Sequence, residues 1–330
     1  MMKHTRTLLA AFTCMVALPS VAETTIRIGH DSQPGSPLSE AFDVFEKDVE
    51  KASEGAINIE VYGGGQLGGV RETTEMVQSN NLQMTTAASV LLSPIIPEFS
   101  VLDTFYMFED REHAHRVLDS EAGDKLLESM ESKGFKGLGY LELGFRNFTN
   151  NEKPLETMSD FDGLKIRSAS NPSQISAWKA AGLSPVPLSW GEIYTSLQQG
   201  LIQGQESATD SVYTQRFYEV QKYLSLTEHI YSNHVLFTNP DFWKSLTEEE
   251  RSIIDDALEN FIAYQRDLAG KKNKETLSIL KKEGIKINTV PQETRDSLKN
   301  ALNSAVADDI KEKTGTELYN LVMEKTESLR

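Results

Sequence analysis

Cysteine is almost absent from this chain: one, Cys14, occurs in 330 residues. It lies inside an apolar stretch near the amino terminus, after Phe12-Thr13, a poor setting for lipidation. Lys3 and Arg6 precede that stretch, Leu8 to Leu18 is mostly apolar, and Ser20-Val21-Ala22 is a small-residue cleavage signal. The pattern predicts an export leader over residues 1–22, cleaved near Ala22. Cleavage removes the only cysteine, which excludes a disulfide, a thiol nucleophile and a thiolate metal site from the mature protein.

Basic side chains are also scarce, 33 against 49 acidic. Loss of Lys3 and Arg6 with the leader leaves 31 basic side chains and a balance of −18. Such a charge excludes nucleic acid and anionic membrane surfaces as partners. It also opposes long-range capture of an anion, so an anionic ligand must be gripped by local arginines. The apolar run of the leader is too short to span a bilayer, and direct membrane insertion is not expected. No tandem repeat, low-complexity tract or linker interrupts the chain. No G-x-S-x-G and no Ser-His-Asp arrangement appears. Carboxylates are abundant, but nothing singles out a glycosidase-like pair.

Alternating strands and helices are what the chain does contain. Thr25–Gly29 reads as a strand, and Ser36-Pro37 opens a helix with Leu38, Ala41, Phe42, Phe45, Val49 and Ala52 at helical spacing. Ile57, Ile59 and Val61 alternate as in a strand. A helix near Val70–Ser79 and a strand near Leu82–Ala87 follow. One helix is expected over Glu112–Lys133, ended by Gly134, and then a strand over Phe135–Leu141. Thr247-Glu248-Glu249-Glu250 is a capping box that opens a helix running to about Lys282, far longer than usual. The repeating β-α-β pattern predicts an α/β fold with largely parallel sheets.

Residues 163–206 form the most informative unit. A strand, Leu164–Arg167, ends on an arginine. Asn171 and Pro172 start a helix that Gly182 follows, Ser184–Leu188 is a second strand, and Ser189-Trp190-Gly191-Glu192 is a capping box. Gly200 stops that second helix and Leu201–Glu206 is a third strand. Open α/β sheets bind ligands at the carboxyl ends of their strands. Arg167 therefore presents a planar, permanent cation where a carboxylate would bind. By the same placement His30, Asp31 and Ser89, at the ends of first-half strands, are candidate cleft residues. Arg71 either lines the cleft or begins a surface helix.

Two motifs mislead. Gly63-Gly64-Gly65-Gln66-Leu67-Gly68 fits G-x-G-x-x-G, but the acid expected about 20 residues on is missing. Its glycines are read as a tight turn that approaches a ligand. His113 and His115, spaced i, i+2, do not share a helix face, and the pair is read as a solvated helix start rather than a metal site.

The chain resembles the periplasmic substrate-binding proteins of TRAP transporters, the DctP-like family. The resemblance rests on Gly163-Leu164-Lys165-Ile166-Arg167, Pro185-Val186-Pro187 and Glu192-Ile193-Tyr194-Thr195-Ser196-Leu197-Gln198. Gly204-Gln205-Glu206, Tyr218-Glu219-Val220-Gln221-Lys222-Tyr223-Leu224, Gly65-Gln66-Leu67-Gly68 and Glu98-Phe99 through Asp103 add to it. It covers nearly the whole mature chain. It implies a two-lobed Venus-flytrap fold with a ligand cleft between the lobes and a long helix spanning both. Lobe I would comprise 24–145 plus 233–272 and lobe II 146–232 plus 273–330, boundaries that composition does not reveal. It further implies that Arg167 anchors a carboxylate, that Arg146 supports it and that Trp190 packs on the ligand. Relatives commonly continue Gly-Gln-Glu-Asn-Pro, with a ligand-contacting Asn, where this chain has Ser207-Ala208. A hydroxyl there offers one donor, so substrate identity does not carry over. His234 lies near an expected crossover and is a weaker candidate.

The resulting expectation is a periplasmic solute receptor, not an enzyme, without cofactor. It would bind a small organic acid, a sugar acid such as a uronate, aldonate or keto-sugar acid, and deliver it to TRAP membrane permease subunits. C4-dicarboxylates, short 2-oxo or 2-hydroxy acids and aromatic acids stay open, as do a sensor-associated role and an exported hydrolase or lyase.

Overall fold

A computed structural model describes residues 24–330. The expected leader, residues 1–22, lies outside the described residues. Ten strands alternate with helices: β1 (Thr24–Gly29), β2 (Ile57–Tyr62), β3 (Met84–Ala88), β4 (Lys136–Asn150), β5 (Lys165–Ser168), β6 (Ser184–Pro187), β7 (Gly204–Ala208), β8 (Tyr223–Leu226), β9 (Tyr231–Thr238) and β10 (Lys286–Thr289). Their lateral order is β2-β1-β3-β9-β4-β7-β5-β6, with β8 also on β4 and β10 on β8. The pairs β1–β2, β1–β3, β5–β6, β5–β7 and β8–β10 are parallel, as the β-α-β reading predicts. The β9 pairs with β3 and β4, and the β4 pairs with β7 and β8, are antiparallel, so the sheet is mixed rather than largely parallel as the β-α-β pattern predicts.

The organising element is β4. It runs nine residues beyond the predicted strand end at Leu141. Its first part pairs with β9 as far as Phe145↔Tyr231. From Arg146↔Ala208 onward it pairs with β7, and then also with β8. One uninterrupted strand thus serves two sheet halves, and the handover falls at Arg146.

Each half is packed on both faces by helices. In the first half one core joins Leu82, Phe99, Phe135, Val235 and Phe237, and the other joins Ile26, Phe42, Phe45, Leu236 and Phe261. In the second half, one core joins Phe148, Ile166, Trp178 and Leu302, and the other joins Ile193, Leu197, Phe217 and Leu280. The helix Glu248–Lys282 starts on the Thr247 capping box and spans 35 residues, about 52 Å at helical rise. Its Ile254, Leu258 and Phe261 pack in the first half and its Leu280 in the second. Helix Gln292–Thr314 buries Leu298, Leu302, Val306 and Ile310, a strict four-residue stripe, against helix Pro172–Ala180.

One expectation about an element requires correction. The single helix Glu112–Lys133 is two helices, Arg111–Leu118 and Glu121–Ser129, followed by the 3-10 turn Met130–Lys133. Ser120 caps the second helix, and Gly123 lies so close to the Leu118 carbonyl that a Cβ there would fall 1.8 Å from its oxygen. The carboxyl-terminal helix Thr316–Ser328, which the resemblance assigns to lobe II, packs against first-half residues. Val322, with Leu318 and Leu321, joins the first-half core, and its Thr326 carbonyl bonds the His113 ring.

Candidate functional site

The ends of β1, β3 and β5, the β6–β7 and β7 loops and the handover of β4 face one cavity of ≈ 770 Å³, its solvent-open mouth included. The first half contributes Asp31, Ser36, Leu38, Val90, Leu91, Glu142 and His234 to its wall; the second contributes Arg146, Arg167, Ala169, Trp190, Asp210 and Thr214. Ala88, Val90 and Ala169 meet across the halves with Leu91 in a small apolar cluster.

Arg167 is the penultimate residue of β5 and is 3% exposed. Its Nε donates to the Leu188 carbonyl at 3.0 Å, and its guanidinium lies 5.6 Å from the Trp190 ring centroid. These two contacts fix the plane of the fork. Among the described residues no carboxylate comes within ion-pairing distance of it. Burial lowers its pKa to about 10, the Glu206 charge pulling it up and Arg146 pressing it down. It remains a cation at neutral pH. A buried cation without an ion-pair partner is costly, and an incoming carboxylate would offset that cost with two charge-assisted hydrogen bonds.

Arg146, 5% exposed, has a different environment. Its Nε donates to Glu206 Oε2 at 2.5 Å, and its Nη2 donates to Glu206 Oε1 at 2.8 Å and to the Glu206 carbonyl at 2.7 Å. Nη1 lies 3.4 Å from Ser232 Oγ. Glu206 also meets His229 Nε2 at 3.1 Å. Burial pushes the Glu206 carboxyl up, but the Arg146 charge and the hydrogen bonds from His229 and Arg146 outweigh it and hold the group well below the usual carboxylate range. Arg146 thus reaches the cleft with its charge largely cancelled.

Trp190 follows Ser189, whose side chain and the Glu192 carboxyl form the expected capping box. Its ring meets Phe217 edge-on at 5.8 Å and carries Arg167 on its face, so it positions the arginine as well as forming wall. Asp31 lines the cleft just past β1; burial raises its pKa, with His30 and Arg167 opposing. His234 lines the cleft and meets Thr86 Oγ1 at 3.2 Å; burial lowers its pKa to about 4.

The other candidates lie outside the wall. The His30 ring stacks on Phe42 at 5.2 Å, behind the cleft, and burial lowers its pKa to about 4. Gly63 makes room for it, since a Cβ there would come within 2.8 Å of the ring. Gly63 of the glycine loop therefore lies against an imidazole. Ser89 is buried between the wall residues Ala88 and Val90. Ser207 is buried within β7. Arg71 projects from helix Val70–Gln78, exposed and paired with Glu75 four residues on. His113 is fully buried rather than solvated, covered by the carboxyl-terminal helix, while His115 meets Glu142 at 2.9 Å. Among the described residues no group of three or more His, Cys, Asp or Glu could hold a metal ion, and no helix is long and apolar enough to cross a membrane.

Sequence reasoning missed Glu206, His229, Glu142 and Asp210. Glu206 carried a signal, an acid in the middle of an otherwise buried strand, where a charge requires a partner.

The profile of bacterial extracellular solute-binding protein, family 7 (DctP), matches residues 28–313. The 2,3-diketo-L-gulonate-binding periplasmic protein YiaO of Escherichia coli (strain K12) is 30% identical over 300 residues, 91% of this chain and 90% of that protein. The C4-dicarboxylate-binding periplasmic protein DctP of Rhodobacter capsulatus is 30% identical over 319 residues, 96% of this chain and 95% of that protein. The crystal structure of the sugar acid binding protein DctPAm from Advenella mimigardefordensis, in complex with galactonate, superposes with a TM-score of 0.90 at 29% identity, covering 93% of this chain and 99% of that one.

Proposed function

This chain belongs to the DctP family, family 7 of the bacterial extracellular solute-binding proteins, and from that premise we propose that its cleft binds a hydroxylated organic acid through Arg167 and yields it to a TRAP membrane permease. The family consists of solute-binding proteins rather than enzymes, and the hydrolase or lyase alternative falls with that membership. Arg167 would hold the carboxylate, Trp190 would keep the fork aligned, Arg146 would lend a donor from Nη1, and Asp31 would receive hydroxyls. Residues 24–145 with 233–272, joined by the carboxyl-terminal helix, would act as one lobe and 146–232 with 273–315 as the other, closing on the ligand by hinge motion. The leader over residues 1–22 would send the protein out of the cytoplasm.

The observation that carries this reading is the buried, ion-pair-free guanidinium of Arg167 at a strand end. The relatives named for sugar acids, the galactonate complex and the diketogulonate-binding protein, favour that ligand class. A thermal-shift screen of organic acids tests it. A ligand at about 100 times its Kd stabilises the fold by about 2.7 kcal/mol. Arg167→Ala should remove the shift while the ligand-free protein melts as before. A variant that responds like wild type would strip Arg167 of the role.

A further inference from the structure

We propose that the cleft is built for a single carboxylate, and that Asp31, on the half of the wall facing Arg167, selects a terminal hydroxyl over a second carboxylate. The inference rests on the organic-acid reading above and narrows it to monoacids bearing hydroxyls.

The argument is a charge balance over the wall. Arg167 is its one cation without an ion-pair partner among the described residues. Arg146 is neutralised by Glu206, and Glu142 by Arg111 at 2.7 Å. His30 and His234, one behind the wall and one in it, are neutral at pH 7 because burial lowers both to about 4. Two further acids, Asp31 and Asp210, have no ion-pair partner. The lysine near Asp210, Lys272, is taken by Glu40 Oε1 at 2.6 Å and by the Gly35 carbonyl at 2.7 Å. One incoming carboxylate therefore satisfies Arg167. A second would be buried in a wall that also holds Asp31 and Asp210, with no free cation to meet it, whereas a hydroxyl that reaches Asp31 can donate to its carboxylate.

Matched acids test the idea directly. Gluconate and glucarate differ only at the end away from the first carboxylate, as do galactonate and galactarate; 4-hydroxybutyrate and succinate form a shorter pair. Calorimetric titration of the mature protein should show a monoacid binding at least about 100-fold more tightly than its diacid twin. Asp31→Asn removes the repelling charge and adds an amide donor, and should narrow that ratio at least about tenfold. The ratio, unlike affinity itself, is insensitive to a general loosening of the site, and an unchanged melting temperature certifies the fold. A diacid binding within about threefold of its twin overturns the single-carboxylate cleft and leaves the organic-acid reading standing. A ratio unmoved in the folded Asp31→Asn variant overturns the role of Asp31. Failure of all these acids to bind counts against both readings.

Discussion

Arg146 and Arg167 bring the same charge into one cleft and meet opposite surroundings. Arg146 is spent on Glu206 and Arg167 on no acid. Truncating them should therefore have different consequences. Arg146→Ala strands the Glu206 carboxylate in a buried site with only His229, and should destabilise the fold by about 3–5 kcal/mol in urea unfolding. Arg167→Ala removes an unpaired buried cation and should leave the urea midpoint close to wild type. Equal losses in the two variants would contradict this division of labour. The Glu206 pairing was not legible in the sequence, because it joins positions 60 residues apart on neighbouring strands. The place of Arg167 near a strand end in the cavity wall was legible because a strand end is a local signal.

The same contrast holds for the secondary-structure elements. Caps such as Thr247 with Glu250 and Asn171 before Pro172 are written within four residues, and both helices start where those residues predict. The length of β4 and the docking of the last helix depend on partners far along the chain and escaped prediction. Asn171 itself does more than cap. Its Oδ1 accepts from Gln174, while its Nδ2 donates to the Val90 carbonyl at 3.0 Å, Ser93 Oγ at 2.9 Å and Asp103 Oδ2 at 2.8 Å. A second-half helix is thereby pinned to the segment that follows β3. Burial pushes the Asp103 carboxyl up to about 7, against the hydrogen bonds from Asn171 and Ser93. Because the folded value lies above the ordinary 3.8, the protonated form favours folding. Its contribution is full below about 4 and is lost as pH rises to about 7. Asp103→Asn should abolish that decline. Urea midpoints of the two proteins at pH 4.5 and 7.5 would check it, and parallel pH dependence in both would refute it.

At the scale of the whole molecule, two sheet halves share β4, and the 35-residue helix packs against both. The halves meet across the cavity through Ala88, Val90 and Ala169. Ligand binding that draws the two walls together should lower the radius of gyration measured by small-angle scattering. The Arg167→Ala protein at the same acid concentration should show no such contraction. A bound acid with an unchanged scattering profile would mean that the walls do not move.

The continuity of β4 also governs how this receptor could be turned into a biosensor. Along β4 there is no break between the halves into which a fluorescent protein could be spliced. An insertion at Phe145–Arg146 would sever backbone ladders on both sides and displace the Arg146 guanidinium from Glu206. Paired dyes on opposite rims of the mouth would report occupancy with that strand left whole.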